Sequence, residues 1–242
     1  LATVQSLVAE GASVLMIARD PERLADAVAS CPEGPGAVDS LSLDVTAPSA
    51  GRDLLAAAVE RFGAVDGLVN AAGHAQAAPL EQVPDAEWLA QWELNVMAPK
   101  RLMDAIAPGM AGGGSIVNVC SSAGRRPSST YGAYAVAKRG QLALTKAYAQ
   151  RFGPTGVRVN AVAPGPTETP LWLRPEGLLD QLDAEDGEPA EKLARRARQL
   201  PLGRFAQPAE IASVIVALLA TTGSSSGMTW AVDGGHAGEV FD

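Results

Sequence analysis

Ser115-Ile-Val-Asn-Val-Cys120, the segment Tyr131 to Phe152, and Val157-Arg-Val-Asn-Ala-Val162 form the stretch whose reading decides the fold. The two short runs are rich in β-branched residues and bounded by Gly, Ser and Pro, as strands are. The segment between them reads as one long helix. A strand, a crossover helix and a second strand in that order make a unit whose strands run parallel.

The same alternation extends in both directions. Upstream, Leu1 to Gly11 reads as an amphipathic helix with Val4, Leu7 and Val8 on one face, and Ala12 to Ala18 as a strand. Asp20 is placed to cap a helix that has Pro21 at its first position. Strands over Ser40–Val45 and Gly67–Asn70 and helices over Ala50–Phe62 and Trp88–Ala107 follow. Downstream come a helix over Pro208–Thr221 and a last strand over Thr229–Val232. Apolar strands alternating with helices predict a doubly wound, Rossmann-like α/β domain, with a parallel sheet covered by helices on both faces. No repeat or low-complexity linker interrupts residues 1–242, so a single domain is expected. Its one irregular stretch, Leu171 to Leu200, is acidic in its first half and basic in its second.

Composition excludes several functions. Asp plus Glu number 27 against 19 Lys plus Arg, and this net charge of -8 argues against nucleic acid or an anionic membrane as partner. No apolar run approaches the ~20 residues of a membrane span. Two cysteines and two histidines offer neither zinc spacing nor a disulfide framework. Together with the absence of a signal peptide pattern, they indicate a reducing, cytoplasmic setting and no metal.

Ligands of such folds bind beyond the carboxyl ends of the strands, where this chain places Arg19, Asp44, Asn70, Ser121 and Pro164. Tyr134 and Lys138 lie four residues apart, and Ser121 thirteen before the tyrosine. Residues i and i+4 share a helix face, so phenol and ammonium can point into one space. An ammonium beside a phenol is expected to lower its pKa, making the phenol a proton-transfer group near neutral pH.

Taken together, Asn70-Ala71-Ala72-Gly73, Asn95, Ser121, Tyr134-x-x-x-Lys138, Pro164-Gly165 and Val232-Asp-Gly-Gly235 resemble the short-chain dehydrogenase/reductase family in order and spacing across the chain. The resemblance implies hydride transfer between a nicotinamide cofactor and a secondary alcohol or ketone. Tyr134 would be the general acid or base, and Lys138 would tune it and hold the nicotinamide ribose. Ser121 would bind the substrate oxygen, and Asn95 would support a water linked to the lysine. Asp44, with Val45 beside it, resembles the adenine contact, though a helix cap would also explain the aspartate. Asn70, Ala71, Ala72 and Gly73 would pass the adenosine ribose. Pro164, Gly165, Thr167 and Thr169 would meet the carboxamide, or form a plain turn.

Where the family places an acid for the ribose 2′-hydroxyl, this chain has Ala18 followed by Arg19. A guanidinium there pairs with a 2′-phosphate, so NADP(H) is expected over NAD(H), with Asp20 as a nearby counterweight. Residues 171–200 occupy the place of the family's substrate lid. Leu171, Trp172 and Leu173 would give it an apolar wall, favouring a hydrophobic alcohol or carbonyl substrate, unless Trp172 only packs the lid down, and His74 would line the pocket. Arg125 and Arg126 would receive an acidic carrier protein, as in 3-oxoacyl-carrier-protein reductases of the family, or serve as surface charge or subunit contacts. The basic run Arg195, Arg196 and Arg198 reads as a solvated helix face. A homotetramer or homodimer is implied, joined through Trp88–Ala107 and Tyr131–Phe152.

One element departs from the family. Its opening strand and Thr-Gly-x-x-x-Gly-x-Gly turn are absent, and Leu1-Ala2-Thr3 resembles the residues just after that turn. A strand missing from mid-sheet would leave its neighbours' backbone unpaired. We therefore expect the sequence to lack an N-terminal piece of the polypeptide. The alternative is a truncated, non-catalytic protein of the same fold that senses a nucleotide or binds a partner.

Overall fold

Capping and proline placement set several helix starts. The computed structural model describes residues 1–110, 112–183, 187–220 and 223–237. After α1 (Ala2–Ala9) and β1 (Val14–Ala18), Asp20 Oδ1 accepts the backbone N–H groups of Glu22 and Arg23, both at 3.1 Å, and starts α2 (Pro21–Ala29). Then come β2 (Val38–Ser42), α3 (Ala50–Phe62) and β3 (Gly67–Asn70). Strand β2 ends earlier than the expected Val45. The Asp44 carboxylate accepts the Thr46 N–H at 2.9 Å and its hydroxyl at 2.7 Å, and turns the chain there.

The helix expected over Trp88–Ala107 is interrupted. It divides into α4 (Asp85–Trp92), a π-helical turn at Glu93–Met97 and α5 (Ala98–Ile106). Pro99 explains the break: it has no N–H for the Asn95 carbonyl, and its ring would clash with that carbonyl in a regular helix.

Further along lie β4 (Gly114–Val119), the short α6 (Ser122–Arg125), the long α7 (Gly132–Phe152) and β5 (Val157–Pro164). Three helices follow, α8 (Pro170–Leu173), α9 (Leu178–Leu182) and α10 (Pro189–Ala197), then α11 (Pro208–Leu219) and β6 (Thr229–Val232). Of the expected elements, Thr221 at the end of one helix, and Ala184, Glu185 and Asp186 within the 171–200 segment, lie outside the described residues.

Every pairing between these strands is parallel, but the expected single sheet is divided. Strands β3-β4-β5-β6 form one sheet in that order, and β1-β2 form another. Among the described residues no strand pairs with the second edge of β1 or of β3. The two sheets still share a core. Leu15, Ile17, Leu43 and Val45 pack with Leu68 of β3, Ile116 of β4 and the α5 residues Leu102, Met103 and Ile106. On the opposite face Ile211, Ile215 and Leu218 of α11 cover Val117 and Val162. This is the α/β architecture expected, with helices on both faces.

Helix α6 meets α7 at Gly124. A β-carbon there would lie 2.9 Å from the Lys138 carbonyl carbon and 3.0 Å from its oxygen. The missing side chain thus lets the Ser121 end of α6 approach the backbone that carries Lys138. Gly124→Ala should destabilise the fold by about 1–3 kcal/mol through overpacking. Thermal unfolding tests this; an unchanged midpoint would mean the contact is slack.

Candidate active site

Three chain segments converge at the carboxyl ends of β4 and β5. Ser121 follows β4 by two residues and begins α6, its hydroxyl accepting the Ala123 N–H at 3.1 Å. Tyr134 and Lys138 sit one turn apart on α7. All three line a cavity of about 850 Å³, as do Ala71, Gly73, His74, Pro164, Gly165, Thr167, Thr169, Leu171 and Trp172. Other expected residues do not. Asn70 and Asn95 are buried behind the wall, while Arg19, Asp44, Val45 and Ala72 lie off the cavity lining.

Lys138 is 3% exposed. A buried ammonium requires partners, and its Nζ donates to the Val119 carbonyl at 2.8 Å and to Gln141 Oε1 at 3.0 Å. Burial lowers its pKa from 10.5 to about 8, with a small opposing influence from Cys120. The Tyr134 phenol moves the opposite way to the sequence expectation. Burial pushes it up to about 12, and the Ser121 hydroxyl only partly offsets this. The reason is geometric: the Lys138 ammonium lies 5.8 Å from the tyrosine ring centroid and is held by Val119 and Gln141. Desolvation of the phenolate therefore outweighs attraction to the ammonium. At neutral pH the site holds a neutral phenol beside a charged lysine.

Asn95, in the π-helical turn, is fully buried, which excludes a solvent-facing role. Its Nδ2 donates to Gln91 Oε1 at 2.8 Å and to the Gln91 carbonyl at 3.0 Å, while its Oδ1 has no partner. A β-carbon on Gly73 would lie 3.5 Å from that Oδ1 and 3.7 Å from Lys138 Nζ. Lysine and orphan acceptor thus face the same small space. Asn70 has a structural position, donating to Asn118 Oδ1 at 2.8 Å between β3 and β4. Gly165 is required by packing, since a β-carbon would meet the Asp233 Cα at 2.8 Å.

His74 lines the cavity, and its ring is engaged at 3.1 Å by Glu87 and at 3.0 Å by Gln91. Trp172 stacks edge-on to Phe205, centroids 5.0 Å apart, and fastens α8 to the body while forming part of the wall. Ion pairs Lys192–Asp180 and Arg195–Asp183 tie α10 to α9, so the acidic-then-basic pattern of this segment closes on itself. Among the described residues no three His, Cys, Asp or Glu side chains are placed to hold a metal ion, and no helix is long and apolar enough to cross a membrane.

Sequence reasoning missed Gln141, Tyr131 and His236, read Arg196 as part of a solvated helix face, and gave Arg126 to a carrier protein, the surface or a subunit contact rather than to the cavity. Gln141 had a signal, since it follows Lys138 by three residues on the same helix face. The other four line the cavity from segments far apart in the chain.

Residues 1–237 match the family model described as Enoyl-(Acyl carrier protein) reductase. The chain is 32% identical over 242 residues to the 3-oxoacyl-[acyl-carrier-protein] reductase of Thermotoga maritima, covering 97% of this chain and 91% of the relative. The structure of L-sorbose reductase from Gluconobacter frateurii, complexed with NADPH and L-sorbose, superposes with a TM-score of 0.91 at 30% identity. That match covers 99% of this chain and 92% of the other. NAD+-bound xylitol dehydrogenase superposes with a TM-score of 0.87 at 27% identity, covering 97% and 93%.

The lowered pKa of Lys138 carries a stability consequence. Its folded-state pKa lies below the unfolded value, so burying the ammonium destabilises the fold fully below about pH 8. That cost is relieved as pH rises toward 10.5. Relative to Lys138→Met, the protein should therefore gain on the order of 3 kcal/mol of unfolding free energy between those limits. Urea denaturation of both proteins across the window checks this; parallel curves would contradict it.

Proposed function

The chain belongs to the short-chain dehydrogenase/reductase family, and from that premise we propose that Ser121, Tyr134 and Lys138 carry its chemistry. It is an NAD(P)-dependent oxidoreductase acting on alcohols and ketones. The convergence of these three side chains on one cavity at the strand ends carries the reading.

The residues present fit a nicotinamide nucleotide. Among the described residues the cavity is lined by Lys138 and by no Asp or Glu, and Leu1, Ala2 and Thr3 at the start of α1 also line it. The free N–H groups and positive dipole end of a helix start favour a phosphate. Asn95 Oδ1, buried and unpartnered beside Lys138, is an acceptor for a bridging water. Lys138 would hold the nicotinamide ribose, and Pro164, Gly165, Thr167 and Thr169 the ring. Asn70 to Gly73 would pass the adenosine end. Bound there, the cofactor supplies or accepts the hydride.

The chain's own residues handle the proton. Ser121 donates a hydrogen bond to the substrate oxygen and stabilises charge developing on it. Tyr134 gives its phenolic proton to that oxygen in ketone reduction and takes it back in alcohol oxidation. A phenol held neutral by burial is already in the state that reduction requires. Lys138 keeps its charge at neutral pH, with its ammonium 5.8 Å from the centroid of the Tyr134 ring. The segment 171–200 acts as the lid within a single domain. Leu89 and Trp92 of α4 and Val136 of α7 expose apolar surface and support a dimer or tetramer built on those helices.

NADP(H) is the favoured cofactor. Arg19 is exposed just after β1, and the nearby Asp20 carboxylate turns Oδ1 to the N–H groups of α2 and makes no ion pair with the guanidinium among the described residues. Asp44 remains close enough for Arg19 to contribute to its lowered pKa, after its bonds to Thr46. Arg19→Ala should weaken NADPH binding roughly 10- to 100-fold, the worth of a charge-assisted hydrogen bond. NADH binding should move little. Fluorescence titration reads both constants, and a wild-type protein that binds NADH as tightly as NADPH would refute the cofactor choice.

Replacing Tyr134 with Phe should lower kcat by about 10²- to 10⁴-fold while cofactor binding persists. Turnover at the wild-type rate on a ketone panel would remove Tyr134 from the mechanism.

A further inference from the structure

The far end of the cavity is cationic in a chain whose net charge is -8. Arg126 follows α6, Arg196 lies on α10 and His236 follows β6, yet all three line the same space as Tyr134. Neighbouring cations are paired: Arg125 faces Asp233 at 3.8 Å, Lys192 meets Asp180 at 3.1 Å and Arg195 meets Asp183 at 2.9 Å. Arg126 and Arg196 differ from them. Among the described residues neither has a carboxylate partner, and Arg196 donates to a neutral group, Gln199 Oε1 at 3.1 Å, with its charge within reach of the Tyr131 phenol. Among the described residues no Asp or Glu lines the cavity. Partial burial lowers the His236 pKa despite the pull of Asp233, and the charges of Arg196 and Arg126 add to that lowering, which places the three groups within mutual reach.

We propose that Arg196, Arg126 and His236 form a subsite for an oxyanion on the substrate, a carboxylate or phosphate ester carried a few carbons from the reacting carbonyl. This rests on the hydride-transfer reading of the same site. Two cations left without counterions in a partly enclosed space favour an anion strongly. Guanidinium is the group suited to bind carboxylate or phosphate through two bonds. Their position on the substrate side follows from Tyr131. It packs with Leu171, Trp172 and Leu178 of the lid cluster and precedes Tyr134 by three residues. The anion therefore sits on the side of the cavity that Tyr131 borders, next to the start of α7 that carries the proton donor. Leu171, Leu178 and Leu182 then border the carbon chain between carbonyl and anion. The apolar wall and the charged end serve one amphiphilic substrate.

Chain-matched ketones test this: pentan-2-one, 4-oxopentanoate and 4-oxopentyl phosphate, with saturating NADPH. We expect one of the anionic ketones to exceed pentan-2-one in kcat/KM by roughly 10- to 100-fold. Which of them does so identifies the oxyanion. Arg196→Met should collapse that ratio and Arg196→Lys should restore part of it. Arg126→Gln, at an exposed position, gives a second readout if the α10 variant unfolds. Equal use of all three ketones, or ratios unmoved in both variants, would overturn the subsite and leave the oxidoreductase reading intact. Loss confined to NADPH affinity would assign the arginines to cofactor phosphates and also overturn it. Calorimetric binding of 4-oxopentanoate that depends on Arg196, with no turnover of any ketone or alcohol, would instead sink the hydride-transfer reading and keep the anion subsite.

Discussion

A charged lysine held inside the protein is the constraint on which the rest depends. Lys138 is tolerated there because its ammonium donates to the last carbonyl of β4 and to Gln141 one turn further along α7. Removing either acceptor would leave a buried charge undersatisfied, a larger cost than an ordinary lost hydrogen bond. The two bonds fix the rotation and height of α7 against the end of β4. Ser121 emerges from that same strand end, and Tyr134 stands one helical turn before the lysine. The relative placement of hydroxyl, phenol and ammonium is thus a consequence of solvating one cation with backbone and amide oxygen.

That anchor continues into the core as a chain of polar contacts. Thr145 donates to the Gln141 carbonyl at 2.8 Å and accepts from Asn118 at 2.9 Å, and Asn118 accepts from Asn70 at 2.8 Å. Every member is buried. Buried amides are costly unless matched, and although Asn70 Oδ1 and Gln141 Nε2 lack partners among the described residues, the bonds that do form hold each side chain to its neighbour. The ladder therefore sets β3, β4 and α7 in one register and ties the end of β3, where Asn70 to Gly73 begin, to the lysine. Asn70 acts here as a register pin, even though its strand-end position first drew attention as a ligand site.

How much of this could be read from the chain depends on distance along it. Ser121, thirteen residues before Tyr134, was legible through the family resemblance. Tyr134 and Lys138 are separated by a spacing that one helix determines, so the pair was legible from the residues. The alternation of strand and helix was legible for the same local reason. The ionisation of Tyr134 was not, because spacing gives the proximity of an ammonium but not the desolvation that opposes it. Asn95 was legible as a residue of interest, yet its burial follows from the π-helical turn at Pro99, which rotates the helix face that a regular period would assign. The division of the parallel strands into two sheets was legible in part, since the mid-sheet strand expected to be missing would leave two unpaired edges, and β1 and β3 each have one among the described residues. Arg126, Arg196 and His236 come from three separate segments and meet only because the lid folds back over α7.

The contrast between the acidic chain and its cationic cavity gives those three residues their weight. Carboxylates outnumber lysines and arginines overall, so a cavity wall drawn at random from this sequence would carry acids. The described wall carries none, and the acids that do approach are committed elsewhere: Asp180 to Lys192, Asp183 to Arg195, and Asp233 to the N–H groups of Gly235 and Ala237. Each of those pairings withholds a counterion from the cavity. Arg126 and Arg196 share the cavity wall with Tyr131 and Trp172. Guanidinium groups without carboxylate partners repel one another there, and a group of opposite charge relieves the repulsion. If the substrate were wholly apolar, that repulsion would persist in every bound complex, whereas an anionic substrate removes it on binding.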